Sequence, residues 1–507
     1  MDVRDSRRPR RHARPPDPGI RSRRPRARIL RRHLPHAAAP SQSASRAARF
    51  RLTLNVPESV PLARDGVGWS AFIRRFIGRI GRMFFTSFHR QAMRQVTGSL
   101  CLLGLVVAPV RAGDEAPSAL VLTPPTKIVE TTTTVSPPAL RYDAAGVLHA
   151  TWVEKKGQTG EVKTAVIASG ESTAGSAQSR SVGGGPEAIH QSPGFAIGSD
   201  RALYITWSVA NRAPGALFAS DLTLTKSPDG GTTFQSPVKV NDDGLAISHT
   251  FEDVLVGRNG DLYLSWLDGR NKDRSGAGLL FACSRDGGAT MDKNLVVDGM
   301  ACPCCRPMLA QAPDGSLWVA WRKTFEGNVR DIVVARSTDQ GRTFSPPILV
   351  SQDGWVFDAC PHRGPSIAFD GKGRLYVGWY TEGKDEQPRL FVSHSDDQGA
   401  TFSQPVALHT AATSLPDNLH LAVQRDGLVV AVWEEATGVR KRVVMRVSTD
   451  RGETFAPMQT LTGGSKAEHP VVALHEDGKV AIGWTEHAFP HNRIVVQQGR
   501  WRGAAAP

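Results

Sequence analysis

One eight-residue phrase occurs five times in this chain, and its regular spacing constrains the fold more than any other feature. The phrase reads Ser-x-Asp-x-Gly-x-Thr followed by an apolar residue, and the copies begin at Ser227, Ser284, Ser337, Ser395 and Ser448, 53 to 58 residues apart. A period of this length indicates a repeat protein. Each phrase predicts a turn in which the carboxylate accepts backbone N–H groups and the glycine adopts a positive φ.

A second repeated pattern predicts how many repeats there are. A short strand, a polar turn and a second strand ending in tryptophan recur seven times; these residues are Trp152, Trp207, Trp266, Trp321, Trp379, Trp433 and Trp484. The spacing fits one four-stranded blade per repeat, which predicts an all-β protein, a β-propeller of four-stranded blades. Seven blades are preferred, and six are the alternative. The β-branched stretch TKIVETTTTV before the first repeat is expected to supply the missing outer strand of the last blade.

The five-fold phrase closely resembles the Asp-box of the sialidase (BNR-repeat) family. In that family the box is structural, so the resemblance implies that its five aspartates are not catalytic. The resemblance also implies a propeller fold, with the catalytic residues on the face opposite the boxes. Six blades are the family's number, which is why six remains the alternative here.

The family's catalytic residues are only partly represented. Sialidases use a tyrosine nucleophile with a glutamate partner, and by this resemblance Tyr380 is the candidate nucleophile, Glu382 its base and Asp268 the acid. The chain lacks the family's Arg-Ile-Pro phrase before the first blade. Whether the protein is an enzyme therefore stays open; as an enzyme it would be a glycoside hydrolase of the exo-alpha-sialidase type.

Four arginines are candidates for binding an anionic ligand. Arg306 and Arg363 stand at the entrances of two channel-lining strands and resemble the sialidase arginines that hold a sugar carboxylate. Arg270 and Arg322 follow strand-end tryptophans and are expected on the same face. A guanidinium fork suits a carboxylate. The alternative is that these arginines bond loop carbonyls or acidic neighbours such as Asp268.

Two parallel phrases hold four of the five cysteines beyond the basic N-terminal region. ACPCCRP (residues 301–307) and ACPHRGP (residues 359–365) precede the first strands of blades four and five, so their side chains are expected to meet at the channel mouth. Histidines recur at the same point of other repeats. Thiolate with imidazole suits copper or zinc, and the candidate metal ligands are Cys302, Cys304, Cys305, Cys360, His362, His190, His249 and His469. The alternative is disulfide bonding, for example Cys302 with Cys360.

Charge divides the chain near residue 112. Residues 1–112 hold 24 arginines against 5 acidic residues, whereas the remainder carries 38 basic and 43 acidic residues. The basic excess lies outside the predicted propeller, so the high isoelectric point does not indicate a nucleic-acid partner. We predict an Arg/Pro-rich disordered leader at residues 1–82 with a mis-assigned start, a secretory signal peptide at 83–112 and the propeller at 113–507. An Arg-rich transit peptide and a basic membrane-surface segment are the alternatives for the leader.

Three functions are consistent with these features. The first is an exported protein, periplasmic or secreted, that binds a metal ion or an anionic ligand through a Cys/His/Arg ring on the channel face. The second is an exo-glycosidase acting on an acidic sugar. The third is a docking scaffold with a protein partner. The first two imply a small-molecule or glycan ligand, and no apolar run is long enough for a transmembrane segment.

Overall fold

The computed structural model describes residues 120–168, 177–186, 192–216, 218–270, 276–463 and 466–502. Regular structure in these residues is almost entirely β-strand, with one 3-10 helix at Glu326–Asn328, and the all-β prediction is confirmed. No helix in these ranges has the length and apolar character needed to cross a membrane. The predicted leader, the predicted signal peptide and His190 lie outside the described residues.

Thirty strands follow one another in the described residues. Those of the first half are β1 (Leu120–Leu122), β2 (Thr126–Thr131), β3 (Thr134–Val135), β4 (Ala139–Tyr142), β5 (Leu148–Lys156), β6 (Thr159–Ile167), β7 (Arg180–Pro186), β8 (Gly194–Ile197), β9 (Leu203–Ala210), β10 (Ser220–Ser227), β11 (Val238–Lys239), β12 (His249–Val256), β13 (Leu262–Asp268), β14 (Ala277–Ser284) and β15 (Leu295–Ala301). Those of the second half are β16 (Met308–Gln311), β17 (Leu317–Thr324), β18 (Arg330–Ser337), β19 (Ile348–Leu349), β20 (Ser366–Phe369), β21 (Leu375–Thr381), β22 (Arg389–Ser395), β23 (Val406–His409), β24 (Leu415–Val423), β25 (Val429–Thr437), β26 (Arg440–Ser448), β27 (Gln459–Thr460), β28 (Lys466–Leu474), β29 (Lys479–Ala488) and β30 (His491–Trp501).

Strand pairing follows the repeats. Consecutive strands of a repeat pair antiparallel, as in the four-stranded sheets β8 to β11 and β20 to β23. The last repeat contributes only β28, β29 and β30, and β2 pairs with β30 through Thr126 opposite Val496. The TKIVET stretch therefore supplies the missing outer strand, as the sequence indicated. The first strands of the repeats (β4, β8, β12, β16, β20, β24 and β28) contact one another in that order, and β28 contacts β4.

The core lies between neighbouring sheets. The tryptophan that ends the second strand of each repeat is buried in all seven cases, with at most 6% of its surface exposed. Trp266, for example, packs with Leu222 and Leu224 of the preceding repeat. Burial of these large side chains stabilises the contacts between blades, because each removes a large apolar area from water.

The five Asp-boxes form identical turns. In the third copy, Ser337 Oγ donates to Asp339 at 2.7 Å, Gly341 N donates to Ser337 Oγ at 2.8 Å, and Thr343 Oγ1 donates to Asp339 at 2.6 Å. These hydrogen bonds, led by that of Thr343, lower the pKa of Asp339 to about 2. The Asp339 carboxylate is thus occupied within its own turn, which supports the structural role implied for the boxes.

Candidate functional site

A cavity of about 480 Å³ lies where the first strands begin. Every repeat contributes to its wall; one lining residue from each, in chain order, is Arg141, Gly194, Asp253, Arg306, Arg363, Asn418 and His469. The ring of blades therefore brings residues some fifty positions apart in sequence around one concavity. Concave sites with a few convergent polar groups are the usual places for small ligands.

Tyr380 and Arg363 belong to a hydrogen-bonded polar group in this wall. Tyr380 Oη donates a 2.5 Å hydrogen bond to Glu382 Oε1. The Arg363 guanidinium lies 3.9 Å from the centre of the Tyr380 ring and makes a bidentate pair with Asp417 at 2.9 and 3.0 Å. Burial, followed by the hydrogen bond to Glu382, raises the pKa of Tyr380 well above its usual range. The predicted tyrosine–glutamate pair is thus in direct contact beside an arginine.

Arg322 supports this wall from behind. Its side chain is 1% exposed, and it donates to the backbone oxygens of Arg330, Tyr380 and Arg363 at 2.7, 2.7 and 3.1 Å. With its donors used in this way, Arg322 positions Tyr380 and Arg363 and does not face the cavity. Arg322 therefore bonds backbone carbonyls, which was the alternative to ligand binding for the four arginines.

Arg306 lines the cavity together with two residues that were not candidates from the sequence, Arg141 and Asp253. Arg306 donates to Ser192 O at 2.7 Å. Asp253 is 8% exposed and accepts the Leu309 N–H at 2.7 Å. Burial raises the pKa of Asp253, while the Leu309 N–H and the two arginines oppose that rise. The position of Arg141, where the family's Arg-Ile-Pro phrase would stand, was the available signal for it.

Asp268 does not line the cavity, although the sequence made it the candidate acid. It is fully buried and accepts the Trp266 Nε1–H at 3.0 Å and the Arg270 Nε–H at 2.9 Å. Glu154 and Glu486 also lie two residues after a strand-end tryptophan and accept the same indole bond. Asp268 therefore occupies a structural position of the repeat, and the expectation that it lies beside Tyr380 in a catalytic set is corrected accordingly.

Arg270 and His249 also lie away from the cavity wall. Arg270 pairs with Asp268 and with Asp242, the latter at 3.1 Å. The His249 ring contacts Ser220 O at 2.5 Å through Nδ1 and Asp243 at 3.2 Å through Nε2. Neither residue joins the cysteines, because both are held in a network between blades two and three.

Two groups of carboxylate and imidazole side chains resemble cation sites but already contain a cation. Arg270 lies 2.9 Å from Asp268 and 3.5 Å from Asp243 in the group completed by His249. In the second group, Glu434, Glu468 and His469, the ammonium of Lys441 lies 2.9 and 2.8 Å from the two glutamates. His469 thus lines the cavity but belongs with the glutamates and not with the thiols.

The two cysteine phrases meet. Cys302, Cys304 and Cys305 are buried, with Sγ of Cys302 3.9 Å from that of Cys304 and 3.3 Å from that of Cys305. The donor atoms of Cys304, Cys360 and His362 also lie within 4.8 Å of one another, so Cys304 belongs to both groups. None of the described cysteines forms a disulfide, and the Cys302–Cys360 bridge is absent from this structure.

Arg330 and Gly364 hold the two phrases together. Arg330 Nη1 donates to Cys302 Sγ at 3.2 Å and to Ala359 O at 2.8 Å. A Cβ on Gly364 would overlap Arg306 O, so only glycine permits this approach of the two backbones. Hydrogen bonds with the thiols of Cys304 and Cys305, together with the charge of Arg330, lower the pKa of Cys302, whereas burial raises the pKa of Cys305 to about 12.

Strained backbone recurs at this end of the first strands. Phe251, His362, Asn418 and His469 adopt φ values of +61°, +55°, +50° and +54°. Register shifts accompany three of them, in the pairs β12–β13, β24–β25 and β28–β29. Such strain costs about 1–3 kcal/mol per residue and is concentrated at functional sites. This feature had no signal in the sequence.

Comparison with known proteins agrees with the repeat pattern. Residues 201–354 match the BNR repeat-like domain family. This part of the chain is therefore similar to BNR-type repeats, in agreement with the three Asp-boxes that it contains. The matched part covers three strands of blade two (β9 to β11) and all of blades three and four, and the remaining Asp-boxes continue the same pattern to Phe455. No curated protein matches this chain.

Solved structures similar to this chain are distant. A Dyadobacter fermentans protein of unknown function is 15% identical with a TM-score of 0.47, the match covering 76% of this chain and 100% of that one. A Hadza microbial sialidase is 17% identical with a TM-score of 0.43, over 70% and 76%. A Penicillium chrysogenum alpha-L-arabinanase is 14% identical with a TM-score of 0.43, over 62% and 94%. At these values we attach no function to the likeness.

Proposed function

We propose that this protein is exported and binds a carboxylate-bearing sugar in the cavity. The observation that carries the proposal is that three arginines from three blades, Arg141, Arg306 and Arg363, line one concavity of about 480 Å³. Guanidinium groups hold carboxylates through paired, charge-assisted hydrogen bonds. Arg363 pairs with Asp417 through its Nε and Nη2 atoms. The third nitrogen of the same guanidinium, Nη1, lies 3.7 Å from Glu382.

Calorimetric titration with an acidic sugar and with its methyl ester tests this assignment. N-acetylneuraminate and glucuronate are suitable acids, and each ester keeps the ring while removing the charge. We expect the acid to bind at least tenfold more tightly, because a hydrogen bond to a charged group contributes about 1.5–3 kcal/mol. Equal affinities of acid and ester would contradict the proposal.

Export has a separate test. The apolar run and small-residue end of residues 83–112 support a cleaved signal peptide. Intact-mass analysis of protein recovered outside the cytoplasm should give a chain that begins near Gly113. Recovery of a stable exported protein that retains residues 1–82 would contradict it.

A second candidate is hydrolysis of the bound sugar, and the Tyr380–Glu382 hydrogen bond favours it. Tyr380 Oη would attack the anomeric carbon while its proton passes to Glu382. Asp253, in place of Asp268, would protonate the leaving oxygen, because its pKa is raised and it lines the same cavity. Water activated by Asp253 would then release the sugar from the tyrosine.

Turnover of a fluorogenic sialoside by the variants separates binding from hydrolysis. Tyr380→Phe should abolish turnover and leave ligand affinity within a few-fold, and Asp253→Asn should slow it at least a hundredfold. Arg270→Ala is the matched control, because Arg270 lies outside the cavity. Turnover that survives Tyr380→Phe would exclude this mechanism.

A further inference from the structure

The three thiols of the first cysteine phrase lie close enough to one another to bind a single ion. All three thiols are buried, and Cys302 Sγ lies 3.3 Å from Cys305 Sγ and 3.9 Å from Cys304 Sγ. A Zn–S bond of about 2.3 Å places the sulfurs of a tetrahedral site about 3.8 Å from one another, close to these separations. The three thiols therefore stand at coordination distance without rearrangement of their backbone.

The second phrase completes the donor set from the solvent side. Cys360 and His362 are exposed, and their donor atoms lie within 4.8 Å of each other and of Cys304. Buried thiols at the base and exposed ligands at the rim give an ion a route inward. Arg330, which donates to Cys302 Sγ and to Ala359 O, is placed as an outer partner that offsets thiolate charge.

We propose that Cys302, Cys304, Cys305, Cys360 and His362 form a binding site for a soft cation, Zn²⁺ or Cu⁺. The two donor groups share Cys304 and together offer four sulfurs and one imidazole, of which a tetrahedral ion takes four. Ca²⁺ and Mg²⁺ instead require oxygen ligands. The carboxylate-rich groups elsewhere already hold Arg270 or Lys441 between two carboxylates, whereas Arg330 contacts this cluster at the sulfur of Cys302. The ion joins the loops before blades four and five, and one of its ligands, His362, also lines the cavity.

Metal content of the reduced full-length protein tests the site. The protein is loaded without oxygen with Zn²⁺ in one arm and Cu⁺ in the other, dialysed, and assayed for bound metal and reactive thiols. We expect one equivalent retained in at least one arm, with fewer thiols open to a thiol reagent and a higher melting temperature. Retention in only one arm identifies the ion, and Co²⁺ loading should give thiolate charge-transfer absorption.

Variants separate this site from adventitious binding. Cys304→Ser removes the thiol shared by both donor groups and should weaken binding about a hundredfold or more, because even outer-shell changes cost about 10–100-fold. Cys283→Ser, at a buried cysteine in β14 outside the cluster, is the matched control and should retain the metal. His362→Ala changes an exposed ligand, so it remains informative if Cys304→Ser does not fold.

Three results would overturn the proposal. The first is that wild-type protein retains no metal in either arm. The second is that Cys304→Ser and His362→Ala bind as tightly as Cys283→Ser. The third is that exported protein carries a quantitative Cys302–Cys305 disulfide, which would show that the close thiols form a covalent link and not a metal site.

Discussion

The guanidinium of Arg363 lies 3.9 Å from the centre of the Tyr380 ring. This cation–π contact and the bidentate pair with Asp417 fix Arg363 in two directions. The same ring donates its hydroxyl proton to Glu382. A phenol, a carboxylate and a guanidinium thus meet on one side of the cavity.

Arg322→Lys should destabilise the protein and loosen this wall. Lysine keeps the charge but cannot donate to the three carbonyl oxygens that Arg322 holds, so buried acceptors are left unpaired. We expect a loss of about 3 kcal/mol in the free energy of unfolding, together with weaker ligand binding. Urea denaturation measures the first effect, and the exposed Arg342→Lys is the control. Equal stability of the two variants would contradict the positioning role.

Gly364→Ala should separate the two cysteine phrases. The added Cβ would overlap Arg306 O, and backbone cannot yield as a flexible side chain does. We expect destabilisation by about 1–3 kcal/mol, measured by thermal or urea unfolding. Gly463→Ala is the control, because a Cβ added there would have no neighbouring atom within 4 Å. A Gly364→Ala protein as stable as the control would show that the approach of the phrases is not required.

Asp268→Asn should affect stability and not the cavity. The substitution removes the buried Asp268 carboxylate, which accepts hydrogen bonds from Arg270 and from the Trp266 indole. We expect a cost of about 1–3 kcal/mol with unchanged ligand affinity. Urea unfolding measures the stability, and calorimetry on the same preparation measures the ligand affinity. Wild-type stability combined with lost turnover would restore Asp268 as the acid.

His420→Gln should flatten the dependence of stability on pH. Burial, followed by the charge of Arg141, lowers the pKa of His420 to about 3, against about 6.5 in the unfolded chain. Between these values the unfolded state binds more protons, so the contribution present above pH 6.5 is lost as the pH falls. The slope reaches at most about 1.4 kcal/mol per pH unit. The urea midpoints of wild type and variant should diverge as the pH falls from 7 to 4. Midpoints that change in parallel would contradict the contribution assigned to His420.

The repeat pattern predicted most of the fold, because periodic turns and strand-end tryptophans are local sequence features that recur in each blade. It also placed the two cysteine phrases together, since both precede first strands of adjacent blades. It did not identify Asp253: the register shift between Thr250 and Asp253 changes which side chains face the cavity, and a bulge leaves no mark in hydrophobic alternation. Arg270 and Arg322 follow strand-end tryptophans, and the sequence pattern did not reveal that Asp242 pairs with Arg270 or that Tyr380 O accepts a hydrogen bond from Arg322.

The affinity of Arg306→Ala for an acidic sugar, compared with that of Arg270→Ala, tests the central claim most directly. Both substitutions remove a partly buried arginine, but only Arg306 lines the cavity. Calorimetry should show at least tenfold weaker binding for Arg306→Ala and wild-type affinity for Arg270→Ala, because a charge-assisted hydrogen bond contributes about 1.5–3 kcal/mol. Unchanged affinity in Arg306→Ala would contradict the assignment of this cavity as a binding site for acidic sugars.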